Sequence, residues 1–264
     1  MQIRETSCKT ALSPSKLPGL DYSLNPYIGC AHQCQYCYVP TVLHLSKKQW
    51  QSTVTLKRNI PLVLSKELRS KKPGIIGIST VTDPYQPIEK TVQLTRHCLV
   101  QLLKKDFPVN VQTKSSLVVR DKDLLSEFSQ AELLVSIATL NDRHRKLLEP
   151  TASSIKERLK IFEEFKNTSI KKTVFFGPYY PMSKQELFQM VKTFSDLEVS
   201  TILIDRFHMK KGTHASLMNA TKNTPSFQSK LHFQLTYQDE QYDLMKSWLL
   251  EAIQDTSLSC TEAF

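Results

Sequence analysis

The sequence predicts an α/β protein built as a partial (β/α)6 parallel barrel. Short, near-continuous apolar runs alternate with longer amphipathic stretches, and runs of that kind are typical of parallel strands covered on both faces. Strand–helix alternation implies right-handed βαβ units and therefore a parallel sheet. The chain has 264 residues, of which 40% are hydrophobic, and this length suits one large α/β unit with a substantial core.

Five buried strands and one short leading strand are expected. The short strand covers 25–28 and runs into a cysteine-rich loop, and the buried strands cover 74–80, 108–113, 133–138, 173–176 and 201–204. Six such units make a partial barrel rather than a closed eight-stranded one. Later in the chain we expect a polar loop over 210–229, a late strand over 231–236, and frayed residues after 255.

Amphipathic stripes mark the helices between and after these strands. Leu94, Cys98 and Leu102 fall at i, i+4 and i+8, which places Cys98 on an apolar face as a core thiol. Similar stripes run over 155–165 and 242–253. Ser183 with Glu186 three residues later predicts a capping box at a helix start.

The chain divides into a predicted N-terminal segment (1–23), the barrel core (24–210) and a C-terminal extension that packs on the barrel (211–264). The sequence lacks an apolar run of about 18 residues, and its first residues lack the apolar core of a signal peptide, so we expect a cytoplasmic protein. The net charge of +10 favours polyanionic partners such as nucleic acid, although dispersed lysines are typical of any solvated surface.

Three cysteines, Cys30, Cys34 and Cys37, form a C-x3-C-x2-C motif. Three thiolates on a four-iron cluster leave one iron without a protein ligand, whereas ferredoxin-type electron carriers normally close all four positions with cysteine. An open position on a metal is typical of catalysis.

Two other interpretations of this motif stay open. One is a structural Cys3His zinc module completed by His32 or His44, although a zinc module needs no barrel downstream. The other is a simple electron carrier, disfavoured by the missing fourth cysteine of the motif. A disulfide framework is disfavoured because clustered cysteines in a cytosolic enzyme indicate metal binding or catalysis.

The surroundings of the motif resemble the radical S-adenosylmethionine (SAM) superfamily, because an aromatic residue, Tyr36, directly precedes the third cysteine. A closer similarity is to its spore photoproduct lyase-like, or DNA repair photolyase-like, group. The resemblance extends from about 11 to 206 and is carried by these runs: 24–30, 80–90, 94–96, 113–115, 120–125, 148–150 and 157–159.

The resemblance implies a cofactor set and a reaction. Cys30, Cys34 and Cys37 would hold a [4Fe–4S] cluster whose open iron binds SAM, and reductive cleavage of SAM would give a 5′-deoxyadenosyl radical that abstracts hydrogen from a substrate. DNA or RNA is the first candidate substrate, with a small molecule or peptide as the alternative. An electron donor such as a flavodoxin or ferredoxin is the implied partner.

The resemblance also implies SAM contacts by position. Tyr36 would pack near the adenine, Thr82 and Asp83 would contact the methionine end, Lys114 would pair with the carboxylate, and Ser136 would hydrogen-bond the cofactor. All but Tyr36 lie in the predicted strands or at their ends, and strand C-terminal ends are where such barrels bind ligands.

One departure from the group concerns the substrate. Spore photoproduct lyases carry a cysteine at the end of the second strand that returns a hydrogen atom to the product radical. The corresponding stretch here, 79–83, has no thiol, and Cys98 follows more than ten residues later on a predicted helix. The sequence therefore indicates a relative with a different or unassigned substrate.

Overall fold

The computed structural model describes residues 1–263. Its strands are β1 (Gln2–Thr6), β2 (Leu12–Pro14), β3 (Tyr22–Leu24), β4 (Tyr27–Ile28), β5 (Thr53–Lys57), β6 (Ile76–Ile78), β7 (Val109–Thr113), β8 (Ala131–Ser136), β9 (Lys171–Phe176), β10 (Thr201–Ile204) and β11 (Ser259–Glu262). Its α-helices are α1 (Val39–Val42), α2 (Lys47–Ser52), α3 (Ile60–Glu67), α4 (Glu89–Val92), α5 (Leu94–Leu103), α6 (Lys122–Leu125), α7 (Asp142–Leu148), α8 (Ile155–Glu164), α9 (Lys184–Asp196), α10 (Thr213–Thr221), α11 (Pro225–Thr236) and α12 (Gln238–Ile253). A 3-10 helix spans Ser116–Asp121.

An eight-stranded sheet forms the centre of the fold, in the order β11-β10-β9-β8-β7-β6-β3-β2. All neighbours in it pair in parallel except the edge pair β2–β3, which is antiparallel. The parallel strands therefore end at one common edge. This arrangement confirms the predicted α/β fold with a parallel sheet, and it contains one parallel strand more than the six expected.

The burial of the strands explains why apolar runs in the sequence predict them. β6 is buried at all three positions, and β8 is buried at every position but one. Helices α5, α8 and α9 pack their apolar stripes on the sheet, where Cys98 is fully buried in the core as predicted. The capping box of Ser183 and Glu186 is confirmed at the start of α9.

The first predicted strand was misplaced. Tyr22–Leu24 enters the main sheet, whereas Tyr27–Ile28 turns away and pairs with β5 in a separate three-stranded sheet, order β1-β5-β4. Two prolines and two glycines punctuate 18–29, and the chain changes sheets within that stretch. As a result the cysteine loop starts from the small sheet, beside the end of β3.

Three expectations about the C-terminal part were wrong. The segment 210–229 contains α10 and the start of α11 rather than a loop, and 231–236 is the end of α11 rather than a strand. Phe227 and Leu231, four residues apart, are both buried, which is the helical period. Residues after 255 form β11, a polar strand held by parallel pairing with β10.

The three-part division of the chain stays a prediction. In the described residues, α12 packs against α9 and β11 extends the main sheet, while residue 264 of the predicted extension lies outside them. Among the helices of 1–263, none is long and apolar enough to cross a membrane.

Candidate active site

A cavity of about 520 Å³ opens at the C-terminal ends of the parallel strands and extends along the sheet. Its lining includes all eight residues that the sequence and the resemblance select: Cys30, Cys34, Cys37, Tyr36, Thr82, Asp83, Lys114 and Ser136. The topology explains this convergence, because β6, β7 and β8 are adjacent and deliver the last four of these residues at one edge.

The loop that carries the cysteines is fixed at its start. The side-chain amide of Gln86 donates to the carbonyl of Gly29 (3.2 Å) and accepts from the N–H of Ala31 (3.0 Å). Gly29 has a φ of +90°, and a Cβ there would lie 2.1 Å from the carbonyl oxygen of Thr53. Only glycine fits this position, so the entry to the loop is set by the strand β5 beside it.

The three thiols are partly buried, and burial raises the pKa of Cys30 to about 12, with the charge of Asp83 adding to the effect. Among residues 1–263, no three His, Cys, Asp or Glu side chains converge closely enough to hold a single metal ion. A four-iron cluster would be held by the three thiols without their converging on a single ion. Three soft thiolates around one cavity are a donor set that suits an iron–sulfur cluster.

The two histidines of the zinc alternative are engaged or remote. His32 is 2% exposed, and its Nε2 lies 3.0 Å from Asp83 Oδ2. His44 is exposed beyond α1 and does not line the cavity. A Cys3His site needs its ligands around one ion, and no such convergence exists within residues 1–263, so the geometry favours the iron–sulfur interpretation.

Asp83 is the best-connected side chain of the site. Its Oδ1 accepts from the Thr113 hydroxyl (2.7 Å) and the Tyr85 N–H (2.9 Å), and its Oδ2 accepts from the Lys114 N–H (2.7 Å). Burial disfavours its charge, but His32 and these hydrogen bonds outweigh burial and lower its pKa to about 2. Asp83 therefore ties the ends of two strands to the cysteine loop as a carboxylate.

Beside Asp83, the hydroxyl of Thr82 is buried and has no hydrogen-bond partner in the structure. It lines the cavity, as does Ser79, whose buried hydroxyl is likewise unpartnered and whose φ is +60°. Orphaned hydroxyls and a left-handed serine are costly features that occur at ligand sites. They favour the interpretation that this surface binds a polar group.

Lys114 supplies a positive charge to the cavity. Its Nζ lies 3.5 Å from the hydroxyl of Ser136 and 5.9 Å from the centre of the Tyr36 ring. Burial disfavours its charge, but the nearby Cys34 and Glu149 outweigh burial and raise its pKa. An ammonium group held here is suited to a carboxylate ligand.

A buried ion pair, missed as part of the site by sequence reasoning, positions Tyr36. The Tyr36 hydroxyl donates to Glu149 Oε1, and Glu149 Oε2 pairs with Arg158 Nη2 at 2.5 Å. Arg158 also donates to the carbonyl of Ser136 (2.8 Å), so the pair links the cysteine loop to β8. A sequence signal existed, because Glu149 and Arg158 lie in two of the runs that carry the resemblance, 148–150 and 157–159.

The far wall of the cavity belongs to the end of β10. Asp205 Oδ2 lies 2.8 Å from His208 Nε2, and the His208 ring is 4.9 Å from that of Tyr38. Within residues 1–263, the cysteines that line the cavity are the three of the motif, and Cys98 is in the core. The stretch 79–83 thus brings hydroxyls and a carboxylate to the cavity, but no thiol.

The described features match known proteins in sequence and in structure. Residues 24–196 match the family model of the radical SAM superfamily. Uncharacterized protein MJ0683 of Methanocaldococcus jannaschii is 34% identical over 183 residues, which cover 69% of each chain.

Two solved structures share the fold. A spore photoproduct lyase complexed with dinucleoside spore photoproduct has a TM-score of 0.71 at 15% identity, over 98% of this chain and 82% of that one. SuiB of Streptococcus suis bound to precursor peptide SuiA has a TM-score of 0.59 at 11% identity, over 90% of this chain and 48% of that one.

Proposed function

This chain belongs to the radical SAM superfamily, and from that premise we propose that it uses a [4Fe–4S] cluster and SAM to abstract hydrogen from a substrate. When bound, the cluster and SAM supply a 5′-deoxyadenosyl radical through reductive cleavage of SAM. The protein's own residues hold the cofactors, orient them and exclude solvent.

One observation carries the proposal: three thiols share a cavity with a half-buried cation and an orphaned hydroxyl. Cys30, Cys34 and Cys37 would hold the cluster, and Lys114 and Thr82 would bind the carboxylate and amino groups of SAM. These two side chains face the cavity from neighbouring strand ends, where an amino-acid moiety can reach both.

The other predicted contacts take distinct roles in this proposal. Tyr36 is held by Glu149 and offers its ring beside the third cysteine, while Ser136 supports Lys114 from the next strand. Asp83 has its lone pairs committed to protein donors, so its part is to fix Thr82 and Lys114 rather than to bind SAM alone.

Nucleic acid is the substrate class that we propose first. The net charge of +10 favours a polyanion, and Arg206 reaches the cavity wall, followed by the exposed Lys210 and Lys211. The spore photoproduct lyase neighbour binds a dinucleoside, and SuiB binds a peptide, so a peptide or small molecule is the alternative. The absence of a thiol in 79–83 disfavours repair of spore photoproduct as the reaction of this protein.

The test is anaerobic reconstitution with iron and sulfide, reduction with dithionite in the presence of SAM, and assay of 5′-deoxyadenosine. We expect 5′-deoxyadenosine from the native chain and from Cys260→Ala, a control outside the cavity, but not from Cys34→Ala. A well-formed four-iron cluster that gives none, even with candidate substrates, would refute the proposal. Binding of zinc alone would favour the Cys3His alternative.

A further inference from the structure

The cysteine loop is held from outside by two helices that are far apart in the sequence, α2 and α10. Lys47 of α2 donates from Nζ to the carbonyl of Gln35 (2.8 Å) and to the hydroxyl of Ser216 in α10. Ser216 in turn donates to the side-chain carbonyl of Gln35 (2.8 Å). Gln35 lies between Cys34 and Cys37, so a closed ring of hydrogen bonds fixes the ammonium group of Lys47 against the loop.

One turn further along α2, Trp50 approaches the same cysteines. Its side chain is 2% exposed and lines the cavity with Cys37. Trp50 makes a side-chain hydrogen bond to the Cys37 thiol, and the charges of Lys47 and Lys114 both act on that thiol. Residues three apart share a helix face, so α2 presents a cation and an N–H donor together to the cysteine loop.

We propose that Lys47 and Trp50 are positioning residues that raise the reduction potential of the cluster, and that Ser216 of the C-terminal extension keeps Lys47 in place. This inference rests on the proposed function, because it needs the cluster on Cys30, Cys34 and Cys37. Reduction adds one negative charge to the cluster, and a nearby cation and N–H···S hydrogen bonds stabilise that charge.

The C-terminal extension contacts the cysteine loop directly. Helices α10 and α11 bury Leu217, Phe227 and Leu231 in one apolar cluster with Tyr36, the residue before Cys37. Phe207, which precedes the extension, joins the same cluster and packs edge-on against Tyr36, with ring centres 6.1 Å apart. The extension therefore contacts the cysteine loop through an apolar surface and, at Ser216, through a polar contact to Lys47.

The experiment is a redox titration of the reconstituted protein without SAM, followed by electron paramagnetic resonance of the reduced cluster, with iron and sulfide measured for each variant. We expect a lower midpoint potential in Lys47→Met and in Trp50→Phe. Lys47→Arg keeps the charge and should stay near the native value. The matched control is Lys48→Met, which removes the neighbouring exposed lysine and should leave the potential unchanged.

Ser216→Ala should lower the potential by less than Lys47→Met, because the charge remains but loses one anchor. Its control is Ser229→Ala on the exposed face of α11. If Lys47→Met does not retain a cluster, Trp50→Phe decides, since a lowered potential supports the inference and a native one overturns it.

The state of the cluster distinguishes failure of the proposed function from failure of this inference. A native chain that assembles no four-iron cluster would overturn the proposed function and this inference with it. A native chain with a full cluster, and Lys47→Met and Trp50→Phe variants that share the potential of Lys48→Met, would overturn only the inference.

Discussion

Replacing Glu149 with Gln tests whether the buried ion pair with Arg158 stabilises the fold around this site. Arg158 is fully buried, and Glu149 is its only carboxylate partner within the described residues. Burial disfavours the charge of Glu149, but Arg158 and Lys114 outweigh it and keep the pKa below its usual value. Glu149→Gln keeps the shape of the side chain and leaves the guanidinium group buried without a counter-charge.

The structure sets the size of the expected effect. Removing one partner of a buried pair costs about 3–5 kcal/mol of unfolding free energy. Arg158 keeps its hydrogen bonds to the carbonyls of Ser136 and Ser153, which favours the lower end of that range. The two carboxylate oxygens of Glu149 accept from Tyr36 and from Arg158 separately, whereas the single amide oxygen of a glutamine can face only one of these two donors. We therefore expect a loss of about 3 kcal/mol.

The assay is urea denaturation of the protein without cofactors, with the same substitution at an exposed pair as control. Lys160 and Glu164 lie 3.7 Å apart on the surface of α8, and Glu164→Gln should cost at most about 0.5 kcal/mol. The double variant Glu149→Gln/Arg158→Met should recover part of the loss, because no charge is then left buried. A Glu149→Gln variant as stable as Glu164→Gln would refute the reasoning.

Three further outcomes are expected. Gly29→Ala should lower the free energy of unfolding by about 2 kcal/mol or more and reduce iron uptake, because the added Cβ meets the carbonyl of Thr53. Gly19 also has a positive φ but has open space around it, so Gly19→Ala should retain full iron uptake. The Asp83 pKa is lowered from 3.8 to about 2, so its contribution to stability is present above about pH 3.8 and lost as the pH falls through about 2; acid unfolding of Asp83→Asn should lack that component. Lys114→Met should weaken SAM binding by about tenfold or more in calorimetry at unchanged iron content, and the exposed Lys105→Met should not; equal affinities would refute the assignment of Lys114.

The sequence was informative wherever burial imposes a period. The predicted strands at 108–113 and 201–204 correspond closely to β7 and β10, and the stripe at 94–102 to α5, because apolar side chains there face the core. β11 carries no such period. Its residues are Ser259–Glu262, and what makes them a strand is hydrogen bonding to β10, fifty-eight residues earlier in register. The strand propensity of these four residues alone does not predict that pairing.

The same distinction separates the parts of the site. The spacing of Cys30, Cys34 and Cys37 within one loop identifies them from the sequence. Residues at strand ends can also be predicted, because parallel topology brings those ends to one edge. The contact between Gln35 and Ser216 joins residues 181 positions apart, in a segment that sequence reasoning predicted as loop. Local sequence can thus place the groups that we propose to bind the cofactors.

The groups around those ligands depend on packing between distant segments. Lys47 and Trp50 have no motif of their own, and their relevance follows only from the direction in which α2 faces. In an iron–sulfur protein the ligands set which cluster binds, while surrounding charge and hydrogen bonds set its potential. Two chains with the same cysteine spacing can therefore differ in how readily they are reduced, and in this chain that difference would originate in α2 and in the C-terminal extension.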